Sequence, residues 1–232
     1  MRSFLNVPLD PASSNAYDAI LASGADCLIL EAPDNIEIAL SCCTDMKRHK
    51  ASQPIYLRLK ANASDEMEDA LAHIAASNLD GLLLDHCESG RDVTAMDVRM
   101  SAAEAIAGRK IGSLGIIAQV TDTATALFGL GSYKDASPRL KALTWDADLT
   151  AKAIGATVVR TRNGSFIPPC QTARDLCLIG AAAAGIQAID TACPDHTDLE
   201  AFGREAMEAK RDGFQGKWAT CEKQVTLIQQ IF

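Results

Sequence analysis

Ile116-Ile117-Ala118-Gln119-Val120-Thr121-Asp122-Thr123 has the composition of a buried parallel strand, short, apolar and rich in β-branched side chains. The run ends abruptly in three polar residues with Asp122 in the middle. At the carboxyl end of a strand in an α/β barrel, such a carboxylate is a candidate metal ligand or acid–base group. Taken alone it also fits a plainer role, since Asp before Thr123-Ala124-Thr125-Ala126-Leu127 is a good helix N-cap. The segments around it decide between the two.

Before this run, the pattern gives strands at Phe4–Pro8, Cys27–Leu30, Pro54–Lys60 and Gly81–Leu84. After it come Ala142–Trp145, Ile186–Asp190 and Lys217–Thr220. Helical stretches separate them. One of the clearest opens with Asp65 and Glu68 at capping-box spacing and places Met67, Ala70, Leu71, Ile74 and Ala75 on one face. Others are read from Ser13 to Ala22, Asn35 to Lys47, Val93 to Ala107 and Leu149 to Ala156. The last three run from Thr172 to Ala184, from Thr197 to the Gly213 stop, and from Glu222 to Ile231. Thr157–Pro169 reads as a loop, with turn signals at Asn163-Gly164 and Pro168-Pro169. Eight strands alternating with helices imply parallel strands and helical crossovers. A (β/α)8 TIM barrel spanning residues 1–232 as one domain is the expected fold, compact against the ~250 residues typical of it. A doubly wound open sheet is the competitor, weakened because no G-x-G-x-x-G follows a strand and no P-loop is present.

A net charge of −8 argues against nucleic acid or an anionic membrane as the main partner. No apolar run approaches the ~18 residues of a membrane span. The eight cysteines contain no C-x-x-C pair and lie mostly in apolar surroundings, as buried thiols do. These features together indicate a reducing compartment, the cytoplasm.

Under barrel topology one face collects Glu31, Asp34, Arg58, Lys60, Asp85, His86, Glu88, Asp122, Asp148, Asp190 and Lys217. Acidic residues from strand ends two, five and six could hold a hard divalent cation through oxygen. Arg58 suits a bidentate clamp on a substrate carboxylate. The set would serve chemistry that builds negative charge on an enolate beside a metal-chelated acid. Each member alone has a structural alternative: Asp148 can cap the helix near Leu149, Arg58 can pair with Glu88 or Asp85, and Lys217 can sit on the opposite face.

The ordered segments Phe4–Pro8, Gly24–Leu30, Leu57-Arg58-Leu59, Val120–Ala124, Leu143–Trp145 through Asp148-Leu149, Ala184–Thr191 and Gly213–Gln224 resemble the HpcH/HpaI aldolase and citrate lyase beta-subunit-like family over nearly the whole chain. The resemblance implies a TIM barrel assembled as a homo-oligomer (trimer or hexamer) and Mg2+- or Mn2+-dependent cleavage or formation of a carbon–carbon bond. The substrate class it implies is a hydroxyacyl-CoA such as malyl-, citramalyl- or citryl-CoA, so the partners are a small carboxylic acid or acyl-CoA. By position, Asp122 matches the first metal ligand, and Asp148 the second, with Asp146 left open because this segment is one residue longer than the family's. Arg58 matches the arginine that contacts substrate and steadies enolate charge, and Asp34 an acidic substrate-site residue. The chain departs from the family where Asp122 replaces Glu, Pro33 replaces Glu, His86 replaces Lys and Cys221-Glu222 replaces His-Pro. Those departures keep two other readings open. One is a non-catalytic barrel that binds an acid or CoA ester or serves as a lyase partner subunit. The other is an aldolase on free keto-acids.

Overall fold

The computed structural model describes residues 1–7, 14–31, 36–49, 51–61, 67–193 and 197–232. Its elements in order are β1 (Ser3–Val7), α1 (Ser14–Ala22), β2 (Cys27–Leu30), α2 (Ile36–Arg48), β3 (Ile55–Lys60), α3 (Met67–Ala76), β4 (Gly81–Asp85) and α4 (Gly90–Ile106). They continue with β5 (Gly115–Gln119), α5 (Ala126–Gly129), β6 (Leu140–Thr144), α6 (Ala147–Ala153), α7 (Pro168–Ala184), β7 (Gln187–Asp190), α8 (Leu199–Asp212), β8 (Gly216–Ala219) and α9 (Glu222–Ile231). Each strand pairs in parallel with the next and β8 pairs with β1, closing a (β/α)8 barrel.

Strand pleating sorts the apolar side chains into two cores. Phe4, Cys27, Ile29, Tyr56, Leu83, Ile117, Ala142, Ile189 and Trp218 fill the barrel interior. Their neighbours in sequence, including Leu5, Leu28, Leu57, Leu82, Leu84, Ile116, Ala118 and Leu143, pack outward against the helices. Near the floor Tyr56 occupies room left by two glycines: a Cβ on Gly81 would lie 2.4 Å from the Gly115 carbonyl oxygen and from the Tyr56 ring. The large tyrosine and the bare strand starts are therefore one packing solution.

Several local expectations change. Thr123–Leu127 does not form a helix capped by Asp122: α5 is a single turn starting at Ala126, and Asp122 makes other bonds. The Pro168-Pro169 pair opens α7 instead of closing a loop, since proline suits the first helical turn, where its missing N–H would have no partner. The Asn163-Gly164 turn is found, with Gly164 at φ +87° between the bridged residues Arg160 and Phe166. Asp198, not Thr197, caps α8 by accepting from the Ala201 amide. Asp34 and Asp65 lie outside the described residues. Among the described residues no helix is long and apolar enough to cross a membrane.

The end of the barrel where β5 and β6 begin is held by a buried ion cluster. Glu104 of α4 is 0% exposed and accepts from the amides of Gly112 and Leu114, from Ser113 Oγ, and from both Nη atoms of Arg139. Arg139 also pairs with Asp97 and donates to Ser101 Oγ at 2.7 Å. Burial raises the Glu104 carboxyl, but Arg139 and the backbone amides outweigh it and bring it from 4.5 down to about 2. A carboxyl depressed in the fold adds stability that is complete above its ordinary value and is lost as the pH falls toward the folded one. Urea unfolding followed by circular dichroism should show that stability draining away between pH 4.5 and about 2. Glu104→Gln should flatten this acid limb and cost about 3 kcal/mol at pH 7, by leaving Arg139 buried without its main partner.

Candidate active site at the barrel mouth

Inward alternation continues past the apolar layer to the carboxyl ends of the strands, where it delivers polar side chains. In β3 and β5, Arg58 and Gln119 are each two residues beyond an interior apolar side chain, and so share its face. Asp85 stands in the same relation to Leu83 in β4, and Glu31 follows Ile29 just past β2.

Arg58 is the hub. Its Nη1 donates to Asp85 Oδ1 at 3.0 Å and to Gln119 Oε1 at 3.1 Å, and its Nε lies 3.1 Å from Glu31 Oε2. The guanidinium carbon sits 5.4 Å from the centre of the Trp218 ring. Trp218 is itself fixed by donating from Nε1 to Thr144 Oγ1 at 2.6 Å. Gln119 continues the chain: its Nε2 lies 3.0 Å from both carboxylate oxygens of Asp122. Asp122 Oδ2 also accepts from the His86 amide at 2.9 Å. His86 adopts φ +58°, a left-handed conformation rare in non-glycine residues, and this aims its N–H at the carboxylate. The Asp122 side chain is fully buried.

Asp146 joins this group from the β6–α6 connection. It is the N-cap of α6, accepting from the Leu149 amide at 2.8 Å, and its own amide lies 3.3 Å from Thr121 Oγ1. Burial raises the Asp146 carboxyl, and the charges of Asp122 and Asp148 raise it further. Asp85 responds more strongly: burial, with Asp122, Glu31 and Asp146 nearby, pushes it up to about 7 in spite of Arg58. Glu31, Asp85, Asp122 and Asp146 thus face one half-buried cation, Arg58, among the described residues. That surplus of hard oxygen donors fits a divalent cation, which would offset the mutual repulsion. Among the described residues no three His, Cys, Asp or Glu side chains form a metal cage by themselves. This suits Mg2+, which commonly takes one or two carboxylates and completes its shell with water and substrate oxygen.

The other expected residues separate. Asp148 is exposed in the first turn of α6 and lines a cavity of about 330 Å3 with Val158, Val159, Arg160, Phe166 and Ala192. Glu88 accepts from Thr123 Oγ1 at 3.0 Å, and Lys60 is exposed at the end of β3. Asp190 and Lys217 point outward between sheet and helices, so they belong to a different cluster. Asp190 accepts from Trp145 Nε1 (2.8 Å), Arg174 Nε (3.1 Å) and Lys217 Nζ (3.1 Å), and Lys217 also donates to the Thr191 carbonyl at 2.7 Å. Burial would raise the Asp190 carboxyl, but Lys217 and Arg174 hold it below the usual range. Gln119 and Trp218 were hidden from sequence reasoning: one sits in an apolar run, the other looks like a core aromatic. Only the period-two alternation from Ile117 and from Phe4's neighbouring strand could have placed them inward.

The HpcH/HpaI aldolase/citrate lyase family model matches residues 3–220. Citrate lyase subunit beta of Haemophilus influenzae is 25% identical over 243 residues, covering 100% of this chain and 79% of that protein. The L-malyl-CoA/beta-methylmalyl-CoA lyase of Rhodobacter capsulatus is 26% identical over 170 residues, covering 68% of this chain and 52% of that protein. In fold, the chain is similar to the citrate lyase beta subunit from M. tuberculosis complexed with oxaloacetate and magnesium, with a TM-score of 0.73, 20% identity and coverage of 99% of this chain and 95% of that one.

The two clusters should respond differently to mutation. Asp190→Asn removes the carboxylate that Arg174 and Lys217, 5% and 0% exposed, share in the interior, leaving them Asp212 and Glu205. It should cost about 3 kcal/mol or more in chemical unfolding. Cation binding at the mouth, read by calorimetry below the unfolding midpoint, should be unchanged.

Proposed function

The chain belongs to the HpcH/HpaI aldolase/citrate lyase family, and from that premise we propose that it is a Mg2+-dependent lyase cleaving a carbon–carbon bond in a hydroxyacyl thioester of the malyl or citryl kind. The observation that carries this reading is the mouth itself: one half-buried arginine, bridged by Gln119 to a buried carboxylate, inside a surplus of acidic side chains. The names of the relatives, a citrate lyase subunit and a malyl-CoA lyase, support the substrate class.

Asp122 and Asp146 would hold the cation, and magnesium when bound supplies a Lewis acid for the oxygens of the substrate. Asp146 is preferred to Asp148 because its carboxyl responds to the charge of Asp122, whereas Asp148 is exposed on α6. Asp34 remains a substrate-contact proposal from sequence. Arg58 is held by Nη1 bonds to Asp85 and Gln119 and lies within ion-pair distance of Glu31, while its buried Nε has no hydrogen-bond partner among the described residues and would suit an oxygen that gains negative charge. Asp85, hydrogen-bonded to Arg58 at the mouth, is placed to take the proton of the substrate hydroxyl and return it to the carbon released by cleavage.

A second reading has its own support. The two Asp122 oxygens are already engaged by Gln119 and the His86 amide, and Arg58 by three partners, as in a barrel that binds an acid without turning it over. Calorimetry separates the readings. Under the lyase reading Mg2+ or Mn2+ binds the wild type at millimolar concentration or tighter. Asp122→Ala and Asp146→Asn should weaken that binding about tenfold or more, while Asp148→Asn changes it little. Release of acetyl-CoA from a hydroxyacyl-CoA should follow the same order. Absence of binding by the wild type at millimolar Mg2+ would favour the non-catalytic reading, and equal loss in Asp148→Asn and Asp146→Asn would remove the preference for Asp146.

A further inference from the structure

We propose that Gln119 is a spacer, a positioning residue that keeps the Arg58 guanidinium and the Asp122 carboxylate one amide group apart so that neither neutralises the other. The inference rests on the reading of Arg58 and Asp122 as the substrate-facing and metal-facing members of the mouth.

Gln119 is 2% exposed. Its carbonyl oxygen accepts from Arg58 Nη1 at 3.1 Å, and its amide nitrogen lies 3.0 Å from each Asp122 oxygen. The two ends of a primary amide differ, one accepting and one donating. Arginine can only donate and a carboxylate can only accept, so only one orientation of the amide satisfies both neighbours. A glutamate here would offer an acceptor to Asp122, and an apolar residue would offer nothing to either. Glutamine is the side chain that joins a half-buried cation to a buried anion without letting them meet.

Separation matters because opposite charges attract most strongly where water is scarce. Arg58 has a long flexible stem, and Glu31 and Asp85 engage it from β2 and β4. On the β5 side Gln119 bridges the guanidinium and Asp122. With its amide removed, the geometry points to a direct Arg58–Asp122 ion pair. Such a pair would occupy the carboxylate that a cation needs and the N–H edge that a substrate needs.

Two measurements on the full chain test this. The first titrates Mg2+ alone into wild type, Gln119→Met and the double variant Gln119→Met/Arg58→Met by calorimetry. Gln119→Met should bind about tenfold or more weakly, and the double variant should recover most of the loss, because the competing cation has gone. A purely structural role for Gln119 predicts no recovery. The second needs no metal: a double-mutant cycle between Arg58→Met and Asp122→Asn in chemical unfolding, on the wild-type and Gln119→Met backgrounds. The coupling factor in the unfolding constant should grow about tenfold when Gln119 is replaced. An unchanged coupling factor, or a double variant no better than Gln119→Met, would overturn the spacer. A wild type that binds no Mg2+ but shows the growth in coupling would instead overturn the metal reading and leave the spacer standing.

Discussion

A guanidinium cannot shed its proton inside a protein, so a largely buried arginine imposes a fixed positive charge that its surroundings must answer. The barrel mouth is organised around that demand. Arg58 receives carboxylates from the β2 and β4 ends, an amide carbonyl from β5 and an aromatic face from β8. Four different strands therefore converge on one side chain, which is possible only because the sheet closes and each strand contributes an inward position at its carboxyl end. The answer exceeds the demand. Glu31, Asp85, Asp122 and Asp146 outnumber Arg58, and the excess appears as carboxyls that burial and mutual repulsion hold above their usual range.

Pleating separates this group from a second one only a residue away in sequence. Ile189 faces the interior and Asp190 the helices, and Lys217 and Trp218 divide in the same way. Asp190, Arg174 and Lys217 form a matched outward network in which cations dominate the carboxyl and hold it ionised. Partners satisfied within the protein leave little for a ligand to offer, so this network reads as scaffold despite standing at the carboxyl end of β7.

Much of the barrel was legible in sequence because parallel strands buried on both sides are continuous apolar runs, and Cys27–Leu30 and Glu222–Ile231 were placed at the bounds observed. The ambiguities lie where local chemistry supports two structures. Asp122 before a Thr-Ala run fits a helix cap, but tertiary donors from Gln119 and His86 compete for the same carboxylate and win. Arg58 and Asp122 were identifiable as a pair, because a charged residue at the end of an apolar run is conspicuous. Gln119 was not, since a single amide inside an apolar strand gives no sign of which way it points. Asp146 and Asp148 both follow β6, and their spacing says nothing about which one α6 turns toward solvent.

The two ends of the barrel carry opposite electrostatic signatures, and the contrast bears on function more directly than either end alone. At the floor, Glu104 meets Arg139 and backbone amides and falls to about 2, which is what an ion cluster does when its charge is fully answered. At the mouth, burial and the neighbouring carboxylates push Asp85 up to about 7 in spite of Arg58. Burial raises both carboxyls, and at Glu104 alone the supply of partners outweighs it. A fold that can satisfy a buried glutamate so completely at one end leaves acids under-compensated at the other, around the Arg58 guanidinium. Uncompensated negative charge beside a poised cation is the state a protein holds when part of the compensation arrives with a ligand. The mouth therefore stands apart from the rest of the molecule less by the residues it contains than by the balance left open among them.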